Sequence, residues 1–124
     1  LRSYRSCFMK IPEIGRLQPD PQHLEITFYL DPDLLWFKGH FAVQPLLPGV
    51  AQLDWVMHYA AALAPGYRFH SIQNVKFAAP LLPENTVTLL LAWQPEREML
   101  TFSYQRHAGN ERHTASSGKI RLCQ

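Results

Sequence analysis

Gly39-His40-Phe41-Ala42-Val43-Gln44-Pro45-Leu46-Leu47-Pro48-Gly49-Val50-Ala51-Gln52-Leu53-Asp54 sets a histidine in a proline-rich loop, a Pro-Gly pair at a helix start and a carboxylate on the helix itself. Pro48 suits the first helical position, where its missing N–H costs nothing. Val50, Leu53, Met57, Ala60, Ala61 and Ala64 then recur at spacings of three and four. They predict a helix to about Leu63 that stops at Ala64-Pro65-Gly66. Asp54 lies four residues after Val50 and three before Met57, inside that stripe. A carboxylate turned to an apolar core is unfavourable unless it is paired, hydrogen-bonded or protonated. Asp54 is therefore expected to do something. Trp55, Val56 and Tyr59 flank the stripe, so the helix is apolar over most of its circumference. Such a helix must be covered on nearly all sides, by a sheet on one and by another subunit on the rest.

Around this helix the chain reads as strands. Residues 1–22 carry Pro12, Gly15, Pro19 and Pro21 and read as a mostly irregular lead-in. Leu24, Ile26, Phe28 and Leu30 alternate with Glu25, Thr27 and Tyr29, the period of a half-buried strand. A turn at Asp31-Pro32-Asp33 ends it. After the helix, Ile72 to Phe77, Val87 to Trp93, Leu100 to Tyr104 and Thr114 to Leu122 read as further strands, the last pair joined by a turn at Gly109-Asn110. One long helix and about five strands make an α+β chain, a single domain over 1–124 without internal repeats.

Composition excludes several classes. An apolar content of 47% against 18% charged residues argues for a packed core and against disorder. A net charge of +2 with no Lys/Arg run does not suit nucleic acid. No apolar run approaches the ~20 residues of a membrane span, and no signal-peptide pattern opens the chain, so a cytoplasmic protein is expected. Cys7 and Cys123 make no disulfide framework, and no Cys/His cluster has zinc spacing. Free thiols, no metal and no cofactor are expected.

The opening stretch resembles the signature of the hotdog-fold 3-hydroxyacyl-acyl-carrier-protein dehydratases, with His40, Phe41, Pro48, Gly49 and Asp54 matching in identity and spacing. A second segment, Val75-Lys76-Phe77-Ala78-Ala79-Pro80-Leu81-Leu82-Pro83-Glu84-Asn85, is similar to that family's strand and turn downstream of the helix. The resemblance implies an antiparallel sheet wrapped around one central helix, over most of residues 23–122. It further implies that His40 is the catalytic base, Asp54 the acid, and the Gly49 backbone N–H the donor to the thioester carbonyl. An Asp at this point looks like the 3-hydroxydecanoyl branch, and the chain resembles accessory dehydratases of aryl-polyene-type pathways. Two departures stand out. Ala42-Val43 replaces the family's Pro-Gly, and His58 replaces a Gln one turn past the acid.

The chemistry suits these residue types. Dehydration removes a weakly acidic proton alpha to a thioester and protonates hydroxide as it leaves. A histidine with its pKa near working pH fits the first task and a carboxylic acid the second. Charge developing on the thioester oxygen needs fixed donors, which the first N–H groups of a helix supply. Gly49 offers the first one, with Val50 N–H assisting. Trp36, Phe41 and Phe77 are candidates for an acyl pocket, although such residues beside a helix serve equally as plain core. His58 is a candidate neighbour of the acid. The implied partners are an acidic acyl carrier protein, steered by Lys38, Arg97, Arg106, Arg112 and Arg121, and a second subunit, identical or a related hotdog chain. Two other classes stay open: a hotdog acyl thioesterase, and a non-catalytic acyl-binding or partner subunit.

Overall fold

The computed structural model describes residues 11–37 and 46–124. Strand β1 (Glu13–Asp20) turns into β2 (His23–Tyr29), and helix α1 (Gly49–Leu63) comes later in the chain. β3 (Arg68–Phe77), β4 (Thr86–Gln94), β5 (Met99–Ala108) and β6 (Glu111–Cys123) follow. All pairings are antiparallel, and the sheet order is β1-β2-β4-β5-β6-β3. This is the α+β, hotdog arrangement that the resemblance implies, with β3 returning after the helix to the far edge.

Period-two alternation builds the sheet's inner face. Leu24, Ile26 and Phe28 of β2, Leu89 and Leu91 of β4, Leu100, Phe102 and Tyr104 of β5, and Ile120 and Leu122 of β6 are all buried. Each fully buried large side chain contributes about 1.5–3 kcal/mol relative to exposure. On the other face polar side chains bond to one another. Thr27 Oγ1 meets Thr88 Oγ1 at 3.2 Å, and Thr88 Oγ1 lies 2.7 Å from His107 Nε2. Burial holds the His107 imidazole below its ordinary pKa, with Arg112 adding repulsion.

The helix is turned differently from the expected phase. Its buried residues are Ala51, Gln52, Trp55, Val56, Tyr59, Ala60 and Leu63. Val50 is 63% exposed, Ala61 is exposed, and Leu53, Asp54 and Met57 are half-buried. The reason is size. Trp55 and Tyr59 are the largest side chains on α1 and remove the most apolar area from water, so they set the phase. Trp55 packs on Phe28 at 5.2 Å between ring centroids, and Tyr59 on Phe28 at 6.1 Å. Asp54 accordingly sits at the border of the buried face, not in its centre.

Two strands also depart from expectation. The supposed irregular lead-in holds β1, which pairs with β2 from Glu13↔Phe28 to Asp20↔His23 with two register shifts. Edge position is the cause: an edge strand tolerates Pro and Gly and need not alternate. β3 likewise begins at Arg68, before the expected Ile72, and lies on the other edge with Phe69, Ile72 and Phe77 exposed. Among the described residues the sheet thus has six strands, where about five were expected. No helix among the described residues is long and apolar enough to cross a membrane.

Candidate functional site

The start of α1 is held from both sides. Leu47 N–H donates to the Leu81 carbonyl at 2.8 Å, and the Leu47 carbonyl accepts from Gln52 Nε2 at 3.1 Å. Pro48 follows as the N-cap in extended conformation (φ −65°, ψ 154°) and supplies no side-chain cap. The helix's first bonds run from Ala51 N–H and Gln52 N–H to the Pro48 carbonyl, both at 3.1 Å. The N–H groups of Gly49 and Val50 precede those bonds. Among the described residues they are uncommitted donors at the positive end of the helix dipole.

A cavity of about 320 Å³ opens beside them, lined by Leu46, Leu47, Gly49, Gln52, Phe77, Ala78, Ala79 and Pro80. Phe77 lies directly over Gly49: a Cβ at position 49 would fall 2.8 Å from Phe77 Cζ. Only glycine allows the ring to come this close to the helix start. The cavity is therefore made by the last residue of β3 and the turn after it meeting the first turn of α1. Among the described residues lining it, the one polar side chain is Gln52.

Gln52, Thr88 and Ser116 are the buried polar residues of the described chain. Ser116 Oγ of β6 donates to Gln52 Oε1 at 2.7 Å, and Tyr104 OH of β5 donates to the Gln52 backbone carbonyl at 2.5 Å. Burial raises the Tyr104 phenol well above its ordinary pKa, with smaller contributions from Tyr59 and from the charge of Asp54. The phenol is thus a fixed neutral donor.

Sequence-predicted residues divide among several places. Gly49 and Phe77 meet at the cavity. Val50 is next on the helix and faces outward, and Asp54 follows one turn later, half-buried. Trp36 lies in a short 3-10 turn, Leu35–Phe37, packed against the core. Its indole N–H is buried without an acceptor among the described residues, and it is not among those lining the cavity. His58 is exposed, edge-on to the Tyr59 ring at 4.9 Å. His40, Phe41 and Lys38 lie outside the described residues. Gln52 escapes the sequence reading; its one signal was a polar residue three positions into a turn that is otherwise apolar.

A charged cluster secures the second half of the helix. Tyr59 OH donates to Glu13 Oε1 at 2.6 Å, and Arg16 grips the same carboxylate at 2.9 and 3.0 Å. The Arg16 guanidinium also stacks 5.2 Å from the Tyr59 ring centroid. The Arg16 hydrogen bonds outweigh burial and hold the Glu13 carboxyl below its ordinary pKa. Burial, then the Glu13 bond, raise that of Tyr59. Among the described residues, no group of three or more His, Cys, Asp or Glu is placed to share a metal ion.

Comparisons with known proteins bear on the family and the fold. Among solved structures, a chain of the dehydratase heterocomplex ApeI:P from Xenorhabdus doucetiae is 54% identical, with a TM-score of 0.86 over 93% of this chain and 99% of that one. An uncharacterised protein from Erwinia carotovora subsp. atroseptica is 51% identical, with a TM-score of 0.83 over 90% of this chain and 94% of that one. The dehydratase domain of the polyketide PpsC from Mycobacterium tuberculosis, 15% identical with a TM-score of 0.71 over 89% of this chain and 43% of that one, shares the fold. A curated relative, the 3-hydroxyacyl-[acyl-carrier-protein] dehydratase FabZ of Tolumonas auensis, is 33% identical over 72 residues, 50% of this chain and 48% of that protein. The chain thus spans about half the length of the curated relatives it matches. The ApeI-like family model, described as ApeI dehydratase, matches residues 16–119. Because that match takes in all of α1 with its Pro-Gly start, its Asp54 and the turn over the cavity, we conclude that the chain belongs to the ApeI-like dehydratase family.

Proposed function

We propose that the protein removes water from a 3-hydroxyacyl thioester carried on an acyl carrier protein, giving the trans-2-enoyl thioester. The observation that carries this reading is the helix start. N–H groups at Gly49 and Val50, uncommitted among the described residues, open beside an apolar cavity, with Asp54 on the same helix. In this reading the Gly49 N–H polarises the thioester carbonyl, and His40 takes the alpha proton. Asp54 gives its proton to the departing hydroxyl, and the electron pair of the broken C–H bond becomes the new double bond. The acyl chain occupies the cavity under Phe77.

Partners are read from surface and edge. β3, β5 and β6 carry Arg68, Lys76, Arg106, Arg112, Lys119 and Arg121 against one acid, Glu111. β1, β2 and β4 carry Arg16 against Glu13, Asp20 and Glu25. The cationic half of the sheet is the half that adjoins the cavity, which favours an acidic carrier protein arriving there. The edge position of β3 among the described strands, with Phe69 and Ile72 exposed, and the exposed Val50 on α1 favour a second hotdog subunit. The similar ApeI chain is part of a heterocomplex, so that subunit is a related chain or a second copy. The resemblance implies that each site takes His40 from one subunit and Asp54 from the other.

Hydration of crotonyl and decenoyl thioesters tests the reading, with loss of enoyl absorbance as the signal. Release of free thiol instead would show a thioesterase. Tight acyl binding without turnover would show a partner subunit, the reading that Ala42-Val43 in place of Pro-Gly favours.

A further inference from the structure

We infer that Gln52 is a positioning residue for the carbonyl-binding N–H of Gly49, an inference that rests on the dehydratase reading above. Gln52 is 4% exposed, and burying a primary amide is unfavourable unless its donors and acceptor are used. Its uses all converge on one turn. Its Nε2 donates to the Leu47 carbonyl at 3.1 Å, and its Oε1 accepts from Ser116 at 2.7 Å. Its own backbone carbonyl accepts from Tyr104 at 2.5 Å. Leu47 is thereby fixed at both ends, since its N–H is already given to Leu81.

The consequence is geometric. Pro48 has no side-chain cap to offer and cannot donate an N–H, so the helix start lacks the usual device that orients it. The Gln52 amide acts in its place, reaching back past Pro48 to the preceding carbonyl. With Leu47 held and the Pro48 ring fixing φ, the direction of the Gly49 N–H is set by the rigid inner faces of β5 and β6. A donor that must meet a developing charge gains from such fixing, because reorientation at the moment of reaction is avoided. Gln52 touches no reacting atom; it acts through Leu47, Pro48 and Gly49.

Two variants separate this role from plain core support. Gln52→Met keeps length and bulk but removes the donor to Leu47. We expect kcat to fall by about 10-fold or more, part of the 10²–10³ seen when such a donor is deleted outright, with KM changed less than about two-fold. Gln52→Glu keeps a donor only while its carboxyl is protonated, since the ionised form faces the Leu47 carbonyl with like polarity. Its activity relative to the parent should therefore fall as pH rises through that group's pKa, a limb absent from the parent profile. The decisive readout is the carbonyl stretch of a bound, carbonyl-labelled enoyl thioester. The parent should lower its frequency, and Gln52→Met should lose most of that shift while still binding. A full shift in folded Gln52→Met, or equal losses in kcat and affinity, overturns the role of Gln52 and leaves that of Gly49 standing. If Gln52→Met does not fold, a flat pH ratio for Gln52→Glu overturns it. No shift in the parent overturns the carbonyl-binding reading and this inference with it.

Discussion

Two glycines present the same nominal obstacle to a methyl group and should respond in opposite ways. At Gly118 an added Cβ would lie 2.6 Å from the Asn74 backbone oxygen and 2.8 Å from Phe102 Cε2. Gly118 pairs with Val75 on one side and Phe102 on the other, and Phe102 is fully buried. Neither neighbour has anywhere to go, so Gly118→Ala should cost about 1–3 kcal/mol, the range for overpacked cores. At Gly49 the nearest atom, 2.8 Å away, is the tip of Phe77, a ring on a side chain that is 53% exposed and free to swing outward. Alanine is also the better helix former. The unfolding entropy of about 2.1 cal/mol/K per residue gives this chain roughly 0.26 kcal/mol/K. Gly118→Ala should then lower Tm by about 4–12 °C, and Gly49→Ala should leave it within about 2 °C. Activity should follow the reverse order. The displaced ring and the methyl beside the N–H should lower kcat/KM of Gly49→Ala by about 10-fold or more, while Gly118→Ala assayed well below its Tm stays near the parent. Calorimetry and the enoyl-hydration assay on the same preparations decide. A Tm loss in Gly49→Ala as large as that in Gly118→Ala would show Phe77 to be locked in place. An unimpaired Gly49→Ala would show that no thioester approaches there.

Further outcomes follow from the proposed chemistry and the charged cluster. His40→Ala and Asp54→Asn should each lower kcat by at least ~10²-fold, and mixing the two inactive proteins under subunit exchange should restore part of the activity if the site is shared. No recovery despite demonstrated exchange would mean each subunit carries its own pair. Glu13→Gln should lower Tm near neutral pH, because the Glu13 carboxyl titrates below its ordinary 4.5 in the fold. Since its folded pKa is depressed, that stabilisation is present above the unfolded value and is lost as pH falls through the folded one. The Tm difference between parent and variant should hold above the ordinary carboxylate range and close as pH falls through the depressed folded value; a difference that persists in stronger acid would show a packing effect instead. Lys119→Glu with Arg121→Glu should raise KM for a carrier-bound substrate several-fold and flatten its salt dependence, with kinetics on a small-molecule thioester unchanged. Equal effects on both substrates would place the carrier elsewhere.

Much of this fold could be read from the chain because most strands have one wet and one dry face. Leu24 to Phe28, Val87 to Trp93 and Leu100 to Tyr104 alternate for that reason and sit as expected. The edge strands could not be read so easily. β1 buries almost nothing and bends at two register shifts, so neither its pattern nor its Pro and Gly content announces a strand. The helix was recognised, but its phase was not. With apolar residues all round, spacing alone does not choose a face, and the choice fell to Trp55 and Tyr59, whose partners Phe28 and Glu13 are remote in sequence. At the site, Gly49, Phe77 and the helix start were legible as a spaced motif. Gln52 was not, because its worth depends on Ser116 and Tyr104, more than fifty residues downstream.

The place of β3 in the sheet sets the order in which the molecule can be built. β1 and β2 find each other across a two-residue turn as soon as they are made, but β3 has no neighbour until β6 exists, more than thirty residues later. On the ribosome, Arg68–Phe77 must therefore wait unpaired, with Phe69, Ile72 and Phe77 in water, while β4 and β5 extend the sheet toward it. The β3–β6 pairing is therefore a late step in synthesis order. Phe77 and the Ala78–Pro80 turn hang from β3, so the cavity comes into being with that last ladder, and a nascent chain stopped short of β6 would hold the signature residues without the site.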